Sequence, residues 1–153
     1  MGRDSGYIAL HSGVATGAEN ILIPERKTDV ESVVKALEEK HGRKKLVNII
    51  VVAEGESFGA VELAKVITER IPDQEVRVTI LGHIQRGGSP TCFDRLIASR
   101  MGYAAVECLI AGKFNVFVGI VNNKMHYIPL DQAIKQKQKI SEDWMKIVKI
   151  LSS

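Results

Sequence analysis

Leu46 to Ala53 reads LVNIIVVA. Only Asn48 interrupts an apolar run rich in β-branched residues. Such a run suits a central parallel strand buried on both faces. The segments around it have helical period. Val33, Val34 and Leu37 share one face of a helix that Thr28 or Asp29 would cap and Gly42 would close. Ala60, Leu63, Ala64 and Ile67 fall at i, i+3, i+4 and i+7, the apolar face of a second helix, which Pro72 ends.

The same alternation runs through most of the chain. A helix carrying Ile8, Leu10, Val14 and Ala15 is expected after a cap at Asp4 or Ser5, with Gly17 at its end. Ile21 to Ile23 is a short apolar strand that stops at Pro24. Val76, Val78 and Ile80 alternate with Arg77, Thr79 and Leu81, which predicts another strand. Gly87 and Gly88 then allow a tight turn, Ser89 is a good N-cap and Pro90 fits a first helical position. The helix that follows carries Phe93, Leu96, Ile97, Met101, Ala104 and Ala105 on one stripe. Residues 115–121 (NVFVGIV) predict another buried strand, and Met125 to Pro129 a short strand or extended loop. Leu130 to Gln136 and Ser141 to Leu151 predict terminal helices. In the last, Trp144, Ile147, Val148 and Leu151 form the apolar face. The expected class is α/β, a Rossmann-like layered sheet, mostly parallel, with helices on both faces. The chain opens directly in a polar, glycine-punctuated turn, Met1 to Gly6, with no strand before it. It reads as a fragment or as a fold whose first strand is missing.

Candidate chemistry gathers at strand ends, where open α/β sheets place ligands. Glu54, followed by Gly55, ends the buried run. An ionised Glu only accepts hydrogen bonds, so sugar hydroxyls are apt partners; a cap for the following helix is the plainer role. His83 and Arg86 lie past the Val76–Leu81 strand, beside a helix N-terminus. Free N–H groups, a positive dipole end and two polar or cationic side chains would favour an anion there. The plainer reading is a βα turn with a surface Arg and a half-buried His. Arg77 lies six residues before His83, roughly 20 Å along an extended strand. One small ligand cannot touch both within one chain, so Arg77 is a surface residue or serves a second subunit. Glu19 reads locally as a solvated turn residue. Arg43, Lys44 and Lys45 read as a solvated basic patch unless a partner anion uses them.

Several classes are excluded or disfavoured. No Gly-x-Gly-x-x-Gly follows a strand, and no phosphate-loop lysine motif or Gly-x-Ser-x-Gly elbow occurs. The four His residues show no metal-ligand spacing with the cysteines. A net charge of +3, scattered along the chain, is too mild to argue for nucleic acid. No apolar run reaches the ~18 residues of a transmembrane helix, and the N-terminus lacks a signal-peptide layout. Cys92 and Cys108 would lie sixteen apart on one helix and so cannot bridge; free thiols in a reducing cytoplasm are the simple reading.

MGRDSGYIAL, ATGAENILIPE, VVAEG and LGHIQRGGSPTCFDRLIASRMG, in this order and spacing, resemble successive motifs of bacterial-type ATP-dependent 6-phosphofructokinase. The resemblance extends over essentially the whole chain, residues 1–153, and to the C-terminal half of that family. It implies phosphoryl transfer from MgATP to the 1-hydroxyl of fructose 6-phosphate, in glycolysis and in the cytoplasm. It also implies residue roles. Met1, Gly2 and Arg3 match a loop at the sugar, with Arg3 near the transferred phosphoryl group. Glu54 matches a carboxylate that accepts from sugar hydroxyls. His83, Ile84, Gln85 and Arg86 match the turn that grips the sugar and its 6-phosphate. Arg77 matches an arginine that crosses a subunit interface to that phosphate. Gly17, Ala18 and Glu19, with Arg43, Lys45, Leu46 and Val47, match a site for a nucleoside diphosphate or phosphoenolpyruvate effector. Val47 departs from the polar residue of some relatives, which puts effector response in question. The nucleotide loops, the Mg²⁺ site and the catalytic base fall in an N-terminal half that this chain lacks. The expected fragment is inactive alone, and the full-length protein a homo-oligomer, a tetramer. A pyrophosphate-dependent relative and a non-catalytic module that binds phosphate ligands are the alternatives. The helix after Gly88 is expected to expose an apolar patch, since in the family this region packs partly against the other half.

Overall fold

The computed structural model describes residues 4–41, 47–135 and 140–151. The chain divides into two compact units, Met1–Ile80 with Lys139–Ser153, and Leu81–Gln138.

The first unit is built on two short parallel strands, β1 (Asn20–Leu22) and β2 (Ile50–Val52), with Ile21 opposite Val51. The helices are α1 (Tyr7–Ala15), α2 (Val30–His41), α3 (Ala60–Arg70) and, from the C-terminal end, α6 (Glu142–Leu151). Successive strand side chains point to opposite faces, so each strand feeds two cores. Ile21, Ile23 and Ala53 pack with Ala9 and Leu10 of α1 and Val148 of α6. Leu22 packs with Val33, Val34 and Leu37 of α2 and Leu63 and Ile67 of α3. The result is an α/β unit with helices on both faces of a parallel pair. Leu10 and Val34 are its largest fully buried side chains. Burial of that kind contributes about 1.5–3 kcal/mol per side chain.

Three expectations need correction in this unit. Among the described residues of the LVNIIVVA run, the strand itself spans only Ile50–Val52, and these residues are half-buried. The reason is the sheet's width: among the described residues β2 has β1 on one edge and no strand on the other. Residues 76–80 form no strand, and no described strand pairs with them, so their alternation makes no ladder. Finally, α1 is not capped by Asp4 or Ser5. Gly6 is its N-cap, and the Gly6 N–H donates to both carboxylate oxygens of Glu25, at 2.9 and 3.1 Å. A carboxylate from the end of β1 thus meets the positive end of α1. Only glycine fits there, because a Cβ at Gly6 would lie 2.4 Å from the Ile23 Cβ. The cap of α2 follows expectation: Asp29 Oδ1 accepts from the Ser32 N–H at 3.3 Å.

The second unit holds a 3₁₀ turn (Gly82–Arg86), α4 (Cys92–Ile110), the antiparallel hairpin of β3 (Val116–Val121) and β4 (Lys124–Pro129), and α5 (Leu130–Lys135). Asn122 and Asn123 make the hairpin turn, with φ of 50° and 62°. Two consecutive positive φ values are what a two-residue turn of this twist requires, and Asn tolerates them. Arg100 ties the turn to α4, its guanidinium donating to Asn123 Oδ1 at 2.6 Å and to the Asn123 carbonyl at 2.8 Å.

α4 begins at Cys92, not at Pro90. Thr91 and Asp94 form a reciprocal cap that sets the start: Thr91 Oγ1 accepts from the Asp94 N–H at 3.3 Å, and Asp94 Oδ2 accepts from the Thr91 N–H at 2.8 Å. The helix buries only Ala104 and Cys108. Phe93 and Leu96, expected on its inner stripe, are 68% and 57% exposed. Ile97 and Met101 are half-buried on the same stripe as Ala104 and Cys108. β3, expected buried, is half-exposed for the same reason: a two-stranded hairpin with one helix cannot cover both faces. Both cysteines are free, Cys92 exposed and Cys108 buried.

Candidate functional site

Glu54 sits one residue past Ala53, at the carboxyl end of β2, and is exposed. Its position comes from a tight turn. The Glu56 N–H donates to the Ala53 carbonyl at 3.1 Å, which makes Glu54 and Gly55 the two central residues. The turn holds Glu54 at the end of the sheet. α3 begins only at Ala60, after the extended Gly59, and the acid in its first turn is Glu62.

Sequence reasoning missed Glu56. Its side chain is 8% exposed. Oε1 accepts from both the Ser57 N–H and the Ser57 hydroxyl at 2.9 Å. Oε2 is buried and meets no donor among the described residues. Nothing in the local pattern separates Glu56 from Glu54, since both stand in a polar stretch before a helix.

In the second unit, His83 and Arg86 lie in the 3₁₀ turn Gly82–Arg86. Residues three apart eclipse one another in a 3₁₀ helix, so the imidazole and the guanidinium leave the same side. Both are exposed, as are Ile84 and Gln85 between them. Gly82 enters the turn at φ 56° and Gly88 leaves it at φ 112°, values a side chain resists. Gly87 has an ordinary φ of −74°. The expected anion site at the helix N-terminus is altered: the Asp94 carboxylate already takes the Thr91 N–H and the Thr91 hydroxyl, the latter at 2.7 Å. Those hydrogen bonds, the hydroxyl's first, hold the Asp94 carboxyl below its ordinary value. The positive charge of this unit's turn therefore rests on Arg86, with His83 beside it.

Arg77 belongs to the first unit and is exposed. Its guanidinium pairs with Glu75, Nε and Nη2 each 2.8 Å from Oε1. In water such a pair is weak, about 0–1 kcal/mol, so a phosphate could displace it.

The expected effector residues also have structural employment. Gly17 follows the end of α1 with φ 69°. Its N–H donates to the Val14 carbonyl at 3.2 Å, and the Ala18 N–H to the Gly13 carbonyl at 2.8 Å. This is a Schellman closure, and it consumes both amides. Ala18 is buried in the α1 core. Glu19 is not a solvated turn residue: it is 8% exposed, and its Oε2 accepts from the Ile49 N–H at 2.6 Å. The Glu19 N–H also donates to the Ile49 carbonyl at 2.9 Å, extending the β1–β2 ladder by one residue. Val47 is exposed beside this clamp in sequence. Met1, Gly2, Arg3, Arg43, Lys45 and Leu46 lie outside the described residues.

Among the described residues, no group of three or more His, Cys, Asp or Glu side chains is placed to hold a metal ion. No described helix is long and apolar enough to cross a membrane. An open cleft of about 380 Å³ lies between α4 and β4, lined by Arg100, Tyr103 and Tyr127 among others. It contains none of the expected site residues.

Residues 1–109 match the family model described as phosphofructokinase. An ATP-dependent 6-phosphofructokinase of Clostridium botulinum (strain Hall) is 47% identical over 152 residues, covering 99% of this chain and 47% of the relative. An ATP-dependent 6-phosphofructokinase 2 of Bacteroides thetaiotaomicron is 40% identical over 153 residues, again 47% of its length. The chain thus spans about half the length of the curated relatives it matches. Among solved structures, phosphofructokinase from Saccharomyces cerevisiae superposes with a TM-score of 0.77 at 31% identity, over 99% of this chain and 22% of the other.

Proposed function

This chain belongs to the phosphofructokinase family, and from that premise we propose that it is the sugar-phosphate- and effector-binding part of an ATP-dependent 6-phosphofructokinase. The observation that carries the reading is the 47% identity, over 99% of the chain, to a relative of that name. The exposed turns at Glu54 and at His83–Arg86 support it, because their chemistry fits a sugar phosphate.

In this reading Glu54 accepts hydrogen bonds from sugar hydroxyls. His83 and Arg86 grip the sugar and its 6-phosphate, with the fixed fork of Arg86 matched to phosphate oxygens. Ile84 and Gln85 complete that turn. Arg77 exchanges Glu75 for the phosphate held by a neighbouring subunit. Met1 and Gly2 line the sugar loop, and Arg3 stabilises charge on the transferred phosphoryl group. Catalysis of phosphoryl transfer rests on positioning and charge stabilisation, and this part supplies the acceptor's position. Magnesium, brought with ATP, neutralises charge on the transferring phosphates when bound. The described residues offer no cluster of three or more His, Cys, Asp or Glu side chains that would hold it.

Gly17, Ala18 and Glu19, with Arg43, Lys45, Leu46 and Val47, form the effector region for a nucleoside diphosphate or phosphoenolpyruvate. Glu19 would serve it from a carboxylate already fixed to the Ile49 backbone. In this reading the protein is a cytoplasmic homo-oligomer, a tetramer.

The test is calorimetric and kinetic on the 153-residue chain. Fructose 6-phosphate should bind, fructose should not, and no fructose 1,6-bisphosphate should form with MgATP present. Turnover by this chain alone would contradict the division of labour. Absence of any fructose 6-phosphate binding would contradict the site.

A further inference from the structure

Glu56 is a buried acid in a place where stability alone does not call for one. A carboxylate taken out of water loses hydration that only hydrogen bonds or a paired cation can replace. Oε1 is well supplied, with two donors from Ser57 at 2.9 Å. Oε2 is buried without a donor among the described residues. An apolar side chain of similar volume would remove that cost. What the acid supplies instead is a fixed point for the backbone. Its N–H closes the turn on the Ala53 carbonyl, and its carboxylate binds the N–H and hydroxyl of the next residue. The turn so held on its C-terminal side has Glu54 and Gly55 at its centre, and Glu54 itself is exposed.

We propose that Glu56 is the positioning residue for Glu54: its buried carboxylate clamps the Ala53–Ser57 turn and so fixes the direction in which Glu54 meets the sugar hydroxyls. The proposal rests on the reading of Glu54 as a sugar ligand. Glu56 touches no substrate, its Oε2 being closed to solvent. The preorganised turn spares the ligand the entropy of ordering an exposed glutamate. Gln at position 56 keeps a carbonyl oxygen for Ser57, whereas Leu fills the space and keeps none.

The test compares the wild-type chain with E56L and E56Q by backbone amide exchange and by fructose 6-phosphate titration. E56L should fold, since it removes a buried acid without leaving a cavity. Its amides at 54–57 should exchange at least tenfold faster while those of α3 do not change, and its affinity for fructose 6-phosphate should fall at least tenfold. E56Q should restore both to within about threefold of wild type, on the expectation that the lost bond to Ser57 is the cause. Unchanged exchange at 54–57 in E56L would overturn the clamp, whatever the ligand does. Faster exchange with wild-type affinity would overturn the positioning role. A wild-type chain that shows no binding would remove the sugar-site reading of Glu54 first, and the positioning role with it; the wild-type control separates that outcome from the other two.

Discussion

The two units of this chain handle apolar sequence differently. In the first, β1 and β2 send alternate side chains into two cores, and α1, α2, α3 and α6 cover both. In the second, α4 buries only Ala104 and Cys108, while Tyr103, Val106 and Ile110 stand 70%, 54% and 76% exposed. Apolar residues stand on other sides of α4 besides the Ile97–Met101–Ala104–Cys108 stripe, and its own unit supplies too little surface to cover them. The chain spans 47% of the length of the relative it matches at 47% identity. The lesson is that periodicity reports which face is made for burial. It does not report whether the burying partner lies in the same chain.

The largest effect that could break this contrast is a core truncation. Leu10→Ala should cost about 2–5 kcal/mol of stability in the first unit, as buried leucines do. Leu96→Ala on the exposed side of α4 should fall within about 0.5 kcal/mol of zero. Chemical denaturation of both variants checks the pair, and equal losses would erase the distinction between the units. Next comes the backbone at α1. Gly6→Ala places a Cβ 2.4 Å from Ile23 Cβ, so it should destabilise by about 1–3 kcal/mol. A neutral result would mean that the Gly6–Glu25 cap does not set the entry of that helix.

A smaller effect sharpens the picture of the second unit. Thr91→Ala removes half of the reciprocal cap on α4 and should cost about 0.5–2 kcal/mol. The same cap should be acid-sensitive. Asp94 is held below its ordinary value of 3.8 in the folded chain, so it favours folding fully above that value. That contribution should disappear as pH falls through the lower, folded value. Amide exchange in the first turn of α4, followed from pH 5 downward, should show fraying that Asp94→Asn abolishes as a pH dependence.

Much of the architecture was legible because it follows local rules. The α3 face, the Gly17 closure of α1 and the Asp29 cap each depend on residues within one turn of one another. What escaped the sequence depends on partners far along the chain. Glu25 caps α1 from nineteen residues away, and Glu19 binds Ile49 from thirty. No local pattern marks either. The Val76–Leu81 alternation promises a strand, but a strand needs a neighbour, and no described segment provides one. The start of α4 differs from expectation: Ser89-Pro90 looks right locally, but Thr91 takes the cap because Asp94 answers it three residues on. His83 and Arg86, expected together past one strand, lie in one 3₁₀ turn. Glu54 was legible as a carboxylate at a strand end. The clamp beneath it, Glu56, was not.

The most direct measurement is a fructose 6-phosphate titration of the isotopically labelled wild-type chain and of Arg86→Ala, followed by NMR. The account predicts ligand-dependent shifts at Glu54, His83 and Arg86 in the wild type. It also predicts an affinity about 1.5–3 kcal/mol weaker in the variant, the scale of hydrogen bonds to a charged group. Equal affinity in the two proteins, or shifts that leave both Glu54 and the His83–Arg86 turn unmoved, would contradict it.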